Sequence, residues 1–185
     1  MAGGVTDAIA VEILARWCAQ RGAAFDPAQV VIESAGFEHL DNLAAGYDGA
    51  WLCFANFEGV AVRQQGIAAH FISTAEVGLA NFSALELFTG ADFLASHRQV
   101  VETVVALVGR GAALCRDNPA EAARLWYQHT GTQPEPMMDA IIADTCPRLV
   151  GPVVRDGARW QPMWAQFDAL GHARVDAEGY ADLYR

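Results

Sequence analysis

The chain has 185 residues, of which 53% are hydrophobic and 18% charged, so its composition is that of a globular rather than a disordered protein. Its formal net charge is −10, which argues against a nucleic-acid partner because binding to a phosphate backbone depends on clustered basic residues. All twelve basic residues are arginines, so this chain cannot form a lysine Schiff base with pyridoxal phosphate or a carbonyl substrate.

The chain carries no visible signal for a membrane or for export. No apolar run approaches the roughly 20 residues that a membrane-spanning helix needs. The N-terminus, MAGGVTDAI, lacks the basic region and the long apolar run of a signal peptide. If the chain is complete as written, these features predict a water-soluble protein of the cytoplasm.

The first half of the chain is predicted to alternate helices with strands. Helices are expected over residues 7–21, 38–45 and 57–65, where apolar residues recur at helical spacing and a glycine follows. Segments rich in β-branched or aromatic residues predict strands over 30–34, 49–54, 69–73 and 84–88. This alternation indicates an α/β fold with a parallel sheet and right-handed crossovers.

From Ala91 onward the pattern is helical throughout. Asn118 is predicted to cap a helix whose first position is Pro119, and further helices are expected before Pro147 and from Pro162. The helix that precedes Asn118 carries an apolar stripe: Val100, Val104, Leu107, Val108 and Leu114.

The cysteines and histidines match no metal-binding pattern. Cys18, Cys53, Cys115 and Cys146 are widely spaced, and the five histidines share no ligand spacing with them or with one another. We therefore predict no metal site. Reduced structural thiols are expected, with two disulfides as the alternative.

A mixed aromatic and polar cluster follows the strand predicted over 49–54. Phe54, Asn56, Phe57 and Glu58 would lie at the carboxyl end of that strand, where open α/β sheets bind their ligands. Aromatic faces can sandwich a flat ligand, an amide donates and accepts hydrogen bonds, and a carboxylate accepts from an amino group. In the alternative interpretation the two phenylalanines belong to the core and Asn56 caps a helix.

Two further segments are expected at the same rim. The stretch from Gly3 to Asp7 opens a helix, where free backbone N–H groups can bind an anion or a polar ligand, although Thr6 can also act simply as an N-cap. Ser34 to Phe37 follows the strand predicted over 30–34.

Four segments occur in a characteristic order: GG-x-TDAIAVEILARW, SAGF, LDNLAAGYDGAWLCFANFEGVAVRQQG and SHRQVVETVVALVGRGAALCRDNPAEAARLW. In this order they resemble the periplasmic solute-binding proteins of the alkanesulfonate, taurine and thiamine-pyrimidine group. The similarity spans nearly the whole chain, although no single motif is diagnostic. His97-Arg98 replaces the His-Pro pair that is usual in the family.

The resemblance implies a type II periplasmic-binding fold, in which two three-layer αβα lobes close on a small ligand. On this mapping residues 1–80 form the second lobe. Residues 81–185 would then comprise the crossing strand and a helical C-terminal half that packs on the first lobe. Most of the first lobe would be absent, and its absence would leave apolar faces uncovered, so a homodimer is predicted.

The resemblance also implies a set of ligand-binding residues and a function. The set comprises Gly4, Thr6, Asp7, Gly36, Phe37, Phe54, Asn56, Phe57, Glu58 and Asn81. The expected function is that of the substrate-binding component of an ABC-type uptake system, working with a permease in the periplasm on a thiamine-pyrimidine-like or sulfonate-like solute. We expect no cofactor and no catalytic residue.

The alternative function is that of an enzyme-like protein of the same fold, related to those that make the thiamine pyrimidine. Such an enzyme uses pyridoxal phosphate bound to a lysine, which this chain does not contain. On the family mapping that lysine would lie in the absent first lobe, so the enzyme stays the alternative and a binding module is the favoured expectation.

Overall fold

The computed structural model describes residues 5–81, 85–149, 153 and 157–183. Its α-helices are α1 (Val5–Gln20), α2 (His39–Ala44), α3 (Glu58–Gln65), α4 (Ala91–Asp117), α5 (Pro119–Thr130), α6 (Pro136–Thr145), α7 (Gly157–Ala169) and α8 (Ala177–Leu183). Short 3-10 turns occur at Pro27–Gln29 and Cys146–Arg148.

The chain divides into two compact units, each built from discontinuous parts of the sequence. The first unit comprises Met1–Trp51, His70–Glu86 and Arg155–Arg185, and the second comprises Leu52–Ala69 and Leu87–Val154. The division into a second lobe (residues 1–80) and a C-terminal half (residues 81–185) stays a prediction.

The predicted α/β fold is wrong, because the described part of the chain contains helices and no β-strand, and hence no αβα lobe. The predicted strands at 30–34, 49–54 and 69–73 have irregular backbone, as do residues 85–88 of the fourth, whose Ala84 lies outside the described residues. The sequence signal for these strands was local composition. Aromatic and β-branched residues favour strands when they pack on a half-buried sheet, whereas Val31 and Phe88 are 80% and 92% exposed here.

The three helices predicted in the first half of the chain are confirmed, and each predicted end lies within two residues of the observed one. Helix α3 ends at Gly66, whose φ of 66° is the left-handed conformation that glycine adopts without steric cost. The predicted cap at Asn118 is also confirmed, since its side chain accepts a hydrogen bond from the N–H of Glu121 at 3.1 Å. Helix α4 is interrupted at His97, where φ is −132° and ψ is 33°.

The first unit is organised around a cluster of buried aliphatic residues. Ile9 and Ile13 of α1 pack against Val77, which lies in the turn at 74–78, and against Leu79, which follows that turn. Partly buried side chains that surround the cluster are Trp17, Trp51, Ile72 and Phe167. Each fully buried aliphatic side chain contributes about 1.5–3 kcal/mol, so this cluster is the main apolar contribution within the unit.

Hydrogen bonds attach the loop at residues 76–80 to helices α1 and α7 of the first unit. Arg16 donates to the carbonyl of Gly78 at 3.3 Å, and Gln20 donates to the carbonyl of Glu76 at 3.2 Å. The N–H of Ala80 donates to Oε1 of Gln166 in α7 at 2.8 Å. The loop backbone thus receives partners that a sheet ladder would otherwise provide.

In the second unit, α6 packs against α3 and α5, and α4 packs against α5 and the turn Cys146–Arg148. Its buried apolar residues are Val60, Ala61, Ile141 and Cys146. The predicted stripe on α4 is exposed along its whole length, from Val100 to Leu114. None of the helices in the described ranges is long and apolar enough to span a lipid bilayer.

Candidate functional site

The segment from Phe54 to Glu58 forms a closed turn at the start of α3 in the second unit. The carbonyl of Phe54 accepts hydrogen bonds from the N–H of Phe57 at 3.0 Å and of Gly59 at 3.1 Å. The N–H of Phe54 in turn donates to Oε2 of Glu58 at 2.7 Å. A carboxylate at the first position of a helix is also favoured by the helix dipole. The backbone of this turn, which we call the aromatic turn (residues 54–58), is therefore held by its own residues.

A second set of contacts attaches the aromatic turn to α6. The side-chain amide of Asn56 donates to Oγ1 of Thr145 at 2.9 Å. Arg63, one turn further along α3, donates to Oδ2 of Asp144 at 3.0 Å, and Arg148 also donates to this carboxylate. Because both α3 and α6 contribute partners, the aromatic turn is fixed relative to the second unit's helices.

The exposure of the four side chains divides them into two groups. Phe54 and Phe57 are 43% and 49% exposed, whereas Glu58 is only 9% exposed. The carboxylate of Glu58 and the amide nitrogen of Asn56 are used in holding the turn. The arrangement thus presents two aromatic side chains on a scaffold of hydrogen bonds, and neither ring is buried in a core.

Cys53, directly before the turn, is a poor nucleophile at neutral pH. Burial first, and then the negative charge of Glu58, together raise the pKa of its thiol to about 11. The thiolate is the reactive form of cysteine, so the sulfur stays protonated and inert.

The other predicted site residues belong to the first unit. Gly36 has a φ of 76°, Phe37 is 82% exposed with its ring edge-on to that of His39, and Asn81 is exposed. Asp7 lies in the first turn of α1. Gly4 and the side chain of Thr6 lie outside the described residues. That these residues form one site with the aromatic turn stays a prediction.

A pocket in the first unit was not anticipated from the sequence. It has a volume of about 250 Å³ and is lined by Met163, Trp164, Phe167, His172, Ala173, Arg174 and Tyr180. The indole N–H of Trp164 donates to the carbonyl of Val175 at 3.0 Å, which orients the ring along the wall. The aromatic spacing of Trp164 and Phe167 was a usable signal, because residues three apart share one face of a helix.

The described residues contain no group of three or more His, Cys, Asp or Glu side chains that could hold a metal ion.

Comparison with known proteins places the chain in a family. A family model described as NMT1/THI5 like matches residues 2–122, a range that includes α1, the aromatic turn and α4. No curated protein and no solved structure matches the chain. The matched family is that of the alkanesulfonate- and thiamine-pyrimidine-binding proteins, and it supports a solute-binding or thiamine-pyrimidine-related role in general. The resemblance inferred from the order of motifs is thus confirmed at this level, and the chain belongs to the NMT1/THI5-like family.

Proposed function

We propose that the chain binds a small flat solute through the rings of Phe54 and Phe57. The observation that carries this proposal is the pair of half-exposed rings on a turn whose backbone is fixed by hydrogen bonds. A ligand that stacks on such rings loses little binding energy to ordering the protein, because the turn is already in place.

The surroundings of the aromatic turn favour a thiamine-pyrimidine-like ligand over a sulfonate-like one. A pyrimidine is flat and stacks on phenylalanine, and its exocyclic amine is a hydrogen-bond donor. A sulfonate is an anion and needs positively charged or N–H partners. The buried carboxylate of Glu58 adds negative charge beneath the turn, and the guanidinium of Arg63 is paired with Asp144, so an anion gains little there.

By family membership the chain would act as the substrate-binding component of an ABC-type uptake system. It would then work in the periplasm and deliver its solute to a permease. The second candidate is a pyrimidine-synthesis enzyme, whose pyridoxal phosphate would need a lysine from outside these 185 residues.

Isothermal titration of the full chain with the aminopyrimidine of thiamine and, separately, with taurine tests the proposal. We expect the aminopyrimidine to bind more tightly than taurine. The double variant Phe54→Ala/Phe57→Ala should weaken aminopyrimidine binding by about 10- to 100-fold, since two ring contacts are lost.

The matched control is Phe88→Ala, which removes another exposed phenylalanine of the second unit outside the aromatic turn. It should bind like the unmodified chain. Unchanged affinity in the double variant, or an equal loss in the control, would show that the turn is not the binding surface.

A further inference from the structure

The walls of the pocket in the first unit are mainly aromatic. Its lining residues belong to α7, to α8 and to the turn that joins these helices. The ring centroids of Trp164 and Tyr180 are 6.1 Å apart, and the two rings are tilted by 35°. The indole N–H of Trp164 already donates to the carbonyl of Val175, so the rest of this ring forms an apolar wall. Such walls favour a flat hydrocarbon ring as the buried part of a ligand.

Hydrogen bonds fix the turn between α7 and α8. The carbonyl of Phe167 accepts from the N–H of His172 at 2.7 Å and from that of Ala173 at 3.1 Å. At the start of α8, Oδ1 of Asp176 accepts from the N–H of Gly179 at 2.8 Å. Phe167 also packs against the aliphatic core of the first unit. The pocket is therefore formed before a ligand arrives, and binding loses little free energy to ordering the protein.

The size of the pocket limits the ligand to one ring with a short substituent. Its volume is about 250 Å³. An apolar cavity of about 150 Å³ is large enough to bind benzene. Sites for drug-sized ligands have volumes of about 300–1,000 Å³. A nucleotide or a fused multi-ring cofactor is therefore too large to be enclosed here.

A basic side chain without an acidic partner lies at the same pocket. Arg174 lines the pocket and is also exposed, so its aliphatic stem covers apolar surface while its guanidinium stays in water. Among the described residues no carboxylate forms an ion pair with this guanidinium, whereas Arg16 and Arg63 are paired. A guanidinium can bind a carboxylate through two parallel hydrogen bonds. His172, which is half-buried in the lining, carries a further N–H donor.

We propose that this pocket binds a small aromatic carboxylate, with its ring against Trp164 and Tyr180 and its carboxylate on Arg174. Acidic residues of the same segment do not line the pocket: Asp168, Asp176 and Glu178. Their charges still oppose an anion, so we expect a dissociation constant of about 0.1–1 mM. The aromatic turn belongs to the other unit, and the aminopyrimidine titration can fail or succeed independently of this proposal.

Titration of the full chain with benzoate and with benzyl alcohol tests the proposal. Calorimetry should show benzoate binding about 5- to 10-fold more tightly, because only benzoate carries a charge for Arg174. Benzylamine, which has the same ring and a positive charge, should bind most weakly. In the ¹⁵N-labelled chain, the indole resonance of Trp164 should shift on addition of benzoate. Its loss from the spectrum of Trp164→Phe assigns this resonance.

Two arginine variants separate the role of the charge from that of the apolar walls. Arg174→Gln, at an exposed position, should bind benzoate no more tightly than benzyl alcohol. Arg110→Gln is the matched control, because Arg110 is also exposed and has no ion pair in the part of the chain that the structure describes. It should bind both compounds like the unmodified chain.

Four results would overturn the proposal. They are equal affinity of the unmodified chain for benzoate and benzyl alcohol, tighter binding of benzylamine, a preference for benzoate that persists in Arg174→Gln, and a Trp164 resonance that does not move at millimolar benzoate.

Discussion

The two units differ in whether an amphipathic helix buries its apolar face. Helix α1 of the first unit buries Ile9 and Ile13 against a loop, whereas α4 of the second unit has a longer apolar stripe and no buried residue. The apolar residues that the second unit does bury, such as Val60 and Ile141, belong to α3 and α6, which are also joined by the ion pair of Arg63 with Asp144. The comparison shows that helical periodicity identifies an apolar face but not what covers it.

The largest effect on stability is expected in the aliphatic core of the first unit. Ile9 is 1% exposed, so Ile9→Ala should lower the free energy of unfolding by about 2–5 kcal/mol through lost burial and a residual cavity. Urea unfolding followed by circular dichroism measures this loss. Val31→Ala, at an exposed position in the same unit, should change the free energy by less than about 0.5 kcal/mol. Similar losses in both variants would mean that this core does not stabilise the unit.

An intermediate effect is expected at the aromatic turn. Glu58→Ala removes the acceptor for the N–H of Phe54 at a buried position, and the unsatisfied group should cost about 1–3 kcal/mol. Glu58→Gln keeps an acceptor oxygen and should lose less. Glu102→Ala, on the exposed surface of α4, is the matched control and should be close to neutral. If Glu58→Ala proves equally neutral, the carboxylate does not hold the turn.

A smaller, pH-dependent effect is expected at Asp144. Its hydrogen bond with Arg148, supported by Arg63, holds the pKa of the carboxyl below its ordinary value of 3.8. A carboxyl whose pKa is lowered by folding stabilises the protein above its unfolded pKa. This contribution disappears as the pH falls through the folded pKa. Unfolding midpoints measured from pH 6 to pH 2 should therefore fall less for Asp144→Asn than for the unmodified chain.

The loss in the free energy of unfolding between pH 6 and pH 2 should differ between the two proteins by about 0.5–1 kcal/mol, because the ion pair of Asp144 with Arg148 is only partly shielded from solvent. Asp117→Asn, at a well-exposed carboxylate in the same unit, is the comparison variant. Parallel pH profiles for Asp144→Asn and the unmodified chain would rule out this ion pair as a stabilising contact.

The smallest effect on folding is expected on the exposed stripe of α4, where Leu107→Glu should change the free energy of unfolding by less than about 0.5 kcal/mol.

The homodimer predicted from the sequence stays a prediction, and the variant Leu107→Glu tests it. If copies of the chain meet through the stripe, light scattering should give a dimer for the unmodified chain and a monomer for Leu107→Glu. Ala106→Glu, beside the stripe, is the control. A monomeric unmodified chain at micromolar concentration would contradict the prediction.

The sequence was a good guide where the signals are local. The bounds of α1 and α3, the cap at Asn118 and the left-handed Gly66 depend on residues within one turn of each other. The strands failed because strand formation depends on a distant partner. Phe88 and Val31 have the right composition but no sheet to pack on in the described residues.

The candidate site shows the same limit. Aromatic and polar residues at 54–58 indicated a functional turn, and the structure does place them on one turn. Their individual roles were less predictable. Asn56 was considered a ligand contact, yet its amide bonds to Thr145, which is 89 residues away in sequence.

The most direct test of the account is an amide chemical-shift titration of the ¹⁵N-labelled chain with the thiamine aminopyrimidine. We predict that the largest shifts fall on the backbone N–H groups of the aromatic turn in the second unit. Shifts confined to residues 163–180, which line the pocket of the first unit, would contradict the account, as would a spectrum that does not change.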